Sequence, residues 1–306
     1  MRFTMAPVRH DVVVEDLTAA GHTFVEDLSQ SDFLVFDGGP DELPLPLPES
    51  VGFVQTQSAG IDPLHAAGVL EKSGVRWANA AGLYADTVAE SCLGLLLAVT
   101  HQHKAAGMAG SFAVSDEIAA KTRYLTPDTT VAVVGAGGIG QRMIELLAPF
   151  RCRTVAVNRT GRPVPGATET VALAAAGHVW GEADVFVVLL PLTPDTRGLI
   201  DAEVLAKMKP HAVVVNAGRG PLIVTDDLVA ALRDGTIAGA GLDVTDPEPL
   251  PENHPLWAMP NVVITPHTAN TEQNIRASIG ALAARNAEFF AAGQRMSTEV
   301  DIKVGY

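Results

Sequence analysis

Three polar residues stand just beyond short apolar runs: Arg219 in "VVVNAGRGPLI", Glu248 in "GLDVTDPEPLPENHPL" and His267 in "ITPHTAN". Together they supply a guanidinium that suits a carboxylate, an imidazole that can move a proton near neutral pH, and an acid that can tune that imidazole. Taken singly, each has a bland reading: a loop-capping arginine, a solvated acid in a Pro-rich turn, a satisfied loop histidine. Placement favours the combination. Residues past the carboxyl ends of parallel strands face the ligand crevice of an open α/β sheet.

A second set of residues points to a nucleotide. "VAVVGAGGIGQRMIELLAPF" carries Gly135, Gly137 and Gly140 in GxGxxG spacing. The first glycine permits the tight turn after a strand, the second lets the backbone approach a pyrophosphate, and the third lets the helix pack closely on the sheet. The free N–H groups at the helix start then face the phosphates. The motif alone is weak, but here a strand precedes it, and an amphipathic helix and another strand follow. That second strand ends at Asn158, where an acid would accept from the adenosine ribose hydroxyls and repel a 2′-phosphate. Asn158 removes the repulsion, and Arg159, a cationic fork, and Thr160, a hydroxyl donor, both suit phosphate oxygens. Arg162 adds charge nearby. The expectation is NADP(H) in preference to NAD(H); the competing reading is a solvated turn that contains arginine.

Such residues need a scaffold of buried parallel strands. Runs without apolar–polar alternation occur at 130–134, 154–158, 184–190, 212–217, 239–244 and 261–266. Six buried parallel strands with helices between them predict a doubly wound, Rossmann-type sheet. The stretch to about residue 98 alternates more loosely, with strand-like "FLVF", "GFVQTQ" and "VRWANA", and reads as a smaller α/β domain. Thr87 with Glu90 three residues later forms a capping box that predicts a helix start at "TVAE". A last helix, "EQNIRASIGALAARNAEFFAAG", places Ile275, Ile279, Leu282 and Phe289 on one face, with Gly293 as its stop. It leads back to the smaller domain. The expected division is therefore 1–98 with 272–306, discontinuous, and 99–271 as the dinucleotide-binding domain.

Composition narrows the function classes. Nearly half of the residues are apolar, and the net charge of −14 argues against nucleic acid or an acidic membrane surface as partner. Two cysteines without a CxxC spacing make a disulfide framework or a zinc site unexpected and a cytoplasmic setting the default. The first residues hold no sustained apolar run, so no secretory leader is expected. "CLGLLLAV" is too short to span a bilayer.

With these motifs on the page, the sequence resembles the D-isomer-specific 2-hydroxyacid dehydrogenase family, which includes glyoxylate/hydroxypyruvate reductases. The resemblance runs through "SAGIDPL", "NAAGLYADTVAE", "LLPLTPDTRGLI", "VVNAGRGPLI", "GAGLDVTDPEPLPENHPLW" and "TPHTA". It implies a Rossmann-type domain with a smaller flavodoxin-like substrate domain, and a homodimer formed largely through the Rossmann domains. It further implies reduction of a small 2-oxoacid to the D-2-hydroxyacid without a metal. His267 would be the proton donor, Glu248 its hydrogen-bond partner, and Arg219 the carboxylate ligand. The backbone N–H groups of Ala59 and Gly60 would hold the same carboxylate. Asp243 would orient the nicotinamide carboxamide, and Pro191 and Thr196 would border the adenosine and pyrophosphate. Gly138, Ile139, Ala217 and Ala269 complete the implied cofactor set. The alternatives are a dinucleotide-sensing, corepressor-like protein without turnover, and a dehydrogenase acting on 3-phosphoglycerate or phosphite. Formate oxidation is disfavoured, because formate dehydrogenases of this family place Gln where Glu248 stands.

Overall fold

The computed structural model describes residues 1–302, which form two compact units. One comprises Met1–Tyr84 and the chain from Asn270 onward, so it is built from both ends of the sequence; the other is Ala85–Ala269.

The first unit holds a five-stranded, wholly parallel sheet: β1 (Arg2–Ala6), β2 (Thr23–Phe24), β3 (Phe33–Phe36), β4 (Phe53–Thr56) and β5 (Arg76–Ala78), in the order β2-β1-β3-β4-β5. That is the flavodoxin-like order. β3 to β5 coincide with the expected runs, whereas β1 and the two-residue β2 have no counterpart among them. One face of the sheet is a ladder of rings, with Phe33 stacked 4.8 Å from Phe53 and Phe53 lying 4.9 Å from Phe290.

The last helix, Glu272–Ala291, is capped by the Thr271 hydroxyl, and Gly293 follows it with φ +69°. Its buried face differs from the expected one. Only Ile279 of the four predicted residues is fully buried; Gly280, Ala283, Ala284, Asn286 and Ala287 complete the face. Small residues let the helix Asp11–Ala19 approach closely: a Cβ on Gly280 would lie 2.5 Å from the Asp16 Cβ. Volume at the contact, more than apolar periodicity, selects this face.

The second unit holds seven parallel strands: β6 (Thr130–Val134), β7 (Arg153–Asn158), β8 (Glu169–Ala172), β9 (Val185–Val188), β10 (Val213–Asn216), β11 (Gly239–Leu242) and β12 (Val262–Ile264). Their order, β12-β11-β10-β9-β6-β7-β8, is the doubly wound arrangement. The six predicted strands are present. β8 was not anticipated, because an edge strand of mixed burial carries little pattern.

The helix Ala85–Thr100 packs on β10 and β11 of this unit. β11 reads "GAGL" for that reason: a Cβ on Gly241 would lie 3.0 Å from Leu95 Cβ, and one on Gly239 would lie 2.6 Å from Val99 Cγ1. The expected boundary at residues 98–99 falls inside this helix, and the compact units divide at Tyr84–Ala85 instead. The helix begins two residues before Thr87, so Thr87 occupies its first turn and is not the cap.

Candidate active site

Every polar candidate of the second unit lies at or beyond the carboxyl end of a strand. The glycine loop follows β6, whose neighbours are β7 and β9, so it sits at the topological switch point of the sheet. Gly135 has φ +110°, and a Cβ there would lie 2.5 Å from the Leu189 carbonyl carbon. Its N–H and that of Ala136 both donate to the Val157 carbonyl, at 2.8 and 3.0 Å, which locks the turn to β7. A Cβ on Gly140 would lie 2.6 Å from the Gly135 carbonyl oxygen. Gly137 differs: a Cβ would meet nothing within 4 Å. Gly137 caps the ten-residue helix Gly138–Leu147, and both Gly137 and Gly138 are exposed, with Ile139 half-buried behind them. Two glycines are thus required by the protein's own packing. The third keeps open the space above a helix N-terminus, which fits a dinucleotide pyrophosphate.

Asn158 ends β7 and folds the loop after it. Its Oδ1 accepts from the N–H groups of Thr160 (3.1 Å), Gly161 (2.7 Å) and Arg162 (3.2 Å), and its Nδ2 donates to the Arg162 carbonyl at 2.7 Å. An aspartate would accept those three bonds but would face the Arg162 carbonyl with a second acceptor. The amide therefore has a structural task that the sequence did not disclose. The resulting turn leaves the side chains of Arg159, Thr160 and Arg162 exposed.

After β9, Pro191 is exposed, but Thr196 is only 6 % exposed. The Thr196 hydroxyl donates to the Pro191 carbonyl at 2.7 Å and accepts from Thr193 N–H at 2.8 Å. It shapes this loop from inside, with its hydroxyl engaged by the loop's own backbone. After β10, Ala217 is half-buried and its N–H donates to Val188 at 3.2 Å. Asn216, which the sequence reading passed over, organises the arginine turn: Oδ1 accepts from Gly218 N–H at 3.1 Å and Nδ2 donates to the Arg219 carbonyl at 2.9 Å. An amide at the last strand position before "AGRG" was the available signal. The Arg219 side chain is half-buried, with Nη1 donating to the Gly218 carbonyl at 2.8 Å. Gly220 is packed so tightly under the Thr245 carbonyl that no side chain fits there.

His267 and Glu248 come together although nineteen residues separate them in the chain: Nδ1 and Oε1 are 2.6 Å apart. A carboxylate only accepts, so Nδ1 carries the proton and Nε2 points away from the pair. The side chains are 52 % and 41 % exposed, so water screens the pair and its effect on stability is small. Its consequence is a fixed ring. The backbone is fixed as well, by Asp243. This residue is 3 % exposed, and its Oδ1 accepts from the Thr265 hydroxyl (2.6 Å), Thr268 N–H (2.9 Å) and Ala269 N–H (3.0 Å). Its carbonyl accepts from His267 N–H at 2.8 Å, and His267 is held at φ +54°. Asp243 thus builds the histidine loop, a task beyond its implied contact with the nicotinamide. The Ala269 N–H is likewise engaged and is not available to a cofactor. Beside the pair lies a cavity of about 390 Å³ lined by Asp243, Thr245, Glu248, Leu250, Trp257 and His267 among others. Its size falls within the range of small-molecule sites.

In the other unit, Ala59 and Gly60 follow β4 and are half-buried. The Ala59 carbonyl accepts from Asn79 Nδ2 at 2.9 Å. Among the described residues no helix is long and apolar enough to cross a membrane, and no group of three or more His, Cys, Asp or Glu could hold a metal ion.

Comparison with known proteins agrees with this geometry. Residues 93–269 match the family model described as D-isomer specific 2-hydroxyacid dehydrogenase, NAD binding domain. A Corynebacterium melassecola chain, described as an uncharacterized protein in the proB 3′ region, is 56 % identical over all 306 residues, which is 100 % of both chains. The human glyoxylate reductase/hydroxypyruvate reductase is 35 % identical over 252 residues, covering 81 % of this chain and 76 % of the human one. Among solved structures, a D-isomer specific 2-hydroxyacid dehydrogenase from Xanthobacter autotrophicus Py2, in complex with NADPH and MES, superimposes with a TM-score of 0.84 at 26 % identity, covering 100 % of this chain and 99 % of that one. The glycine loop, the strand order and these matches converge: the chain belongs to the D-isomer-specific 2-hydroxyacid dehydrogenases, oxidoreductases that use a nicotinamide dinucleotide.

Proposed function

We propose that the protein reduces a small 2-oxoacid of the glyoxylate or hydroxypyruvate type to the D-2-hydroxyacid, with NADPH preferred over NADH. The observation that carries this reading is the 2.6 Å contact between His267 Nδ1 and Glu248 Oε1. It occupies Nδ1 and leaves Nε2 as the ring nitrogen free to exchange a proton with a substrate.

When bound, the reduced nicotinamide supplies the hydride. The chain supplies position, charge and the proton. Gly137 and Gly138 offer backbone N–H groups at a helix start to the pyrophosphate. Arg159 and Thr160, presented outward by the Asn158 turn, hold the 2′-phosphate. Arg219 pairs with the substrate carboxylate and draws electron density from the adjacent carbonyl, and the N–H groups of Ala59 and Gly60 donate to the same carboxylate. His267 delivers the Nε2 proton to the keto oxygen as charge develops there. In the reverse direction the neutral ring takes the proton from the hydroxyl. Glu248 holds the ring at Nδ1 throughout.

The names of the human relative and of the NADPH-bound structure support the substrate class and the nucleotide. A homodimer belongs to the same proposal. The segment after Thr100 carries Met108, Tyr124 and a Phe112 that is 96 % exposed, an apolar surface suited to a second copy. A cytoplasmic setting is in keeping with free Cys92 and Cys152. The test is a panel of glyoxylate, hydroxypyruvate and pyruvate run in parallel with NADPH and NADH, read by loss of the reduced nicotinamide absorbance. Turnover with NADPH at a higher kcat/KM than with NADH is expected. Tight NADPH binding without turnover on any of the three would instead make the protein a dinucleotide-sensing binding protein.

A further inference from the structure

Asn79 follows β5, is 4 % exposed, and has no part in the chemistry described above. Its amide is divided between two backbone groups. Oδ1 accepts from Ala81 N–H at 3.1 Å, and Nδ2 donates to the Ala59 carbonyl at 2.9 Å. The Ala59 carbonyl and the Gly60 N–H belong to one planar trans peptide, so they point in opposite directions. Holding the carbonyl therefore aims the N–H. The preceding peptide is tied in the same way, with Ala80 N–H donating to the Ser58 carbonyl at 3.1 Å.

Asn79 is itself braced from behind. Its N–H donates to the Thr298 carbonyl at 3.0 Å, and its carbonyl accepts from the Thr298 hydroxyl at 2.6 Å and from Gln55 Nε2 at 3.0 Å. Fully buried Asn286 closes the network, donating to Gln55 Oε1 at 2.7 Å and to Thr298 Oγ1 at 2.9 Å. A buried polar network with its members paired is rigid and specifies one geometry. This one terminates at a half-buried loop peptide, where a flip of the peptide plane would turn the donor away.

We propose that Asn79 is the positioning residue of the carboxylate-binding loop: through the Ala59 carbonyl it holds the Gly60 N–H toward the carboxylate of the 2-oxoacid. The inference rests on the reading of Ala59 and Gly60 given above. It adds a residue that never touches substrate, and a brace contributed by the C-terminal segment. A donor aimed in advance binds its anion without first being ordered, so loss of the aim appears in substrate affinity more than in the chemical step.

Asn79→Asp tests this with little change of shape. It keeps the acceptor for Ala81 N–H and replaces the Nδ2 donor by an oxygen facing the Ala59 carbonyl. The expected result is a KM for glyoxylate raised roughly three- to tenfold, the scale of one hydrogen bond, with kcat and the NADPH Kd near the wild-type values. The amide signal of Gly60 in protein labelled with 15N-glycine should shift and exchange faster with solvent. An unchanged KM together with an unchanged Gly60 signal overturns the proposal. If the wild type turns over no 2-oxoacid, the functional reading fails, and the Gly60 signal still decides whether Asn79 aims the peptide. If Asn79→Asp does not fold, Thr298→Val removes the hydroxyl brace, and an unchanged KM and Gly60 signal in that variant overturn the proposal equally.

Discussion

Oε1 of Glu248 lies 2.6 Å from Nδ1 of His267, and the loop that carries the histidine hangs on the carboxylate of Asp243. One acid orients the ring and another builds the backbone beneath it. Replacing His267 by Ala should lower kcat roughly 10²- to 10⁴-fold with little change in melting temperature, because the pair is half exposed. Glu248→Gln keeps an acceptor oxygen without its charge and should cost less than the histidine change. Steady-state kinetics beside a thermal melt checks both; near-normal turnover in His267→Ala removes it from the chemistry.

Asp243→Ala should fail differently. It leaves the donors of Thr265, Thr268 and Ala269 without their acceptor, at a cost of about 1–3 kcal/mol for the buried Ala269 N–H and less for the other two, which water can reach. A melting temperature lowered by several degrees is expected, together with a fall in kcat as the His267 loop loses its anchor. A variant that melts like the wild type would show that the carboxylate is not the anchor.

The turn after β7 gives a prediction on nucleotide choice. Arg159→Ala should raise KM for NADPH roughly ten- to hundredfold, the worth of a charge-assisted hydrogen bond, and leave KM for NADH nearly unchanged. Asn158→Asp should shift the preference toward NADH, since the three N–H groups of Thr160, Gly161 and Arg162 still find an acceptor while a negative charge now meets the 2′-phosphate. A wild type that prefers NADH would reduce Arg159 to a surface arginine.

Stability at acid pH should depend on Asp184, at the start of β9. Burial pushes its carboxyl up, but hydrogen bonds from Lys209, Thr130 N–H and His211 outweigh burial and hold it below the ordinary value of 3.8. A carboxyl with a depressed folded-state pKa stabilises the fold above its unfolded value and loses that contribution as the pH falls through the folded one. Asp184→Asn should therefore lower the melting temperature near neutrality and leave it nearly equal to the wild type at a pH well below 3.8. Parallel loss at every pH would point to packing instead of charge.

Much of the scaffold was legible because buried parallel strands read as unbroken apolar runs. The six expected strands of the larger unit and β3 to β5 of the smaller lie where those runs are. The two-residue β2 and the edge strand β8 escaped because they carry too few buried positions to show a pattern, and β1, an inner strand, escaped because buried Thr4 interrupts its apolar run. The capping box at Thr87 misplaced a helix start by two residues, because the helix Ala85–Thr100 begins before it. The face of the last helix was misjudged because closeness to the helix Asp11–Ala19 requires small residues, a constraint set by a partner at the opposite end of the sequence.

By itself, the sequence determined the fold class, the glycine loop and the three polar residues beyond their strands. Each of these is written in local spacing: strand runs, a turn that only glycine can make, and a polar side chain just after a strand. Tertiary structure alone decided what those residues touch. It turned Thr196 inward, gave Asn158 a loop to fold, set Asp243 beneath the histidine loop, and brought Asn79 to the Ala59 carbonyl. The Asp243 and Asn79 contacts depend on which strand ends become neighbours in the folded sheets, and hydrogen bonds between neighbouring strand ends have no signature in the spacing of either partner. Those of Asn158 and Thr196 close within their own loops and depend on the path each loop takes.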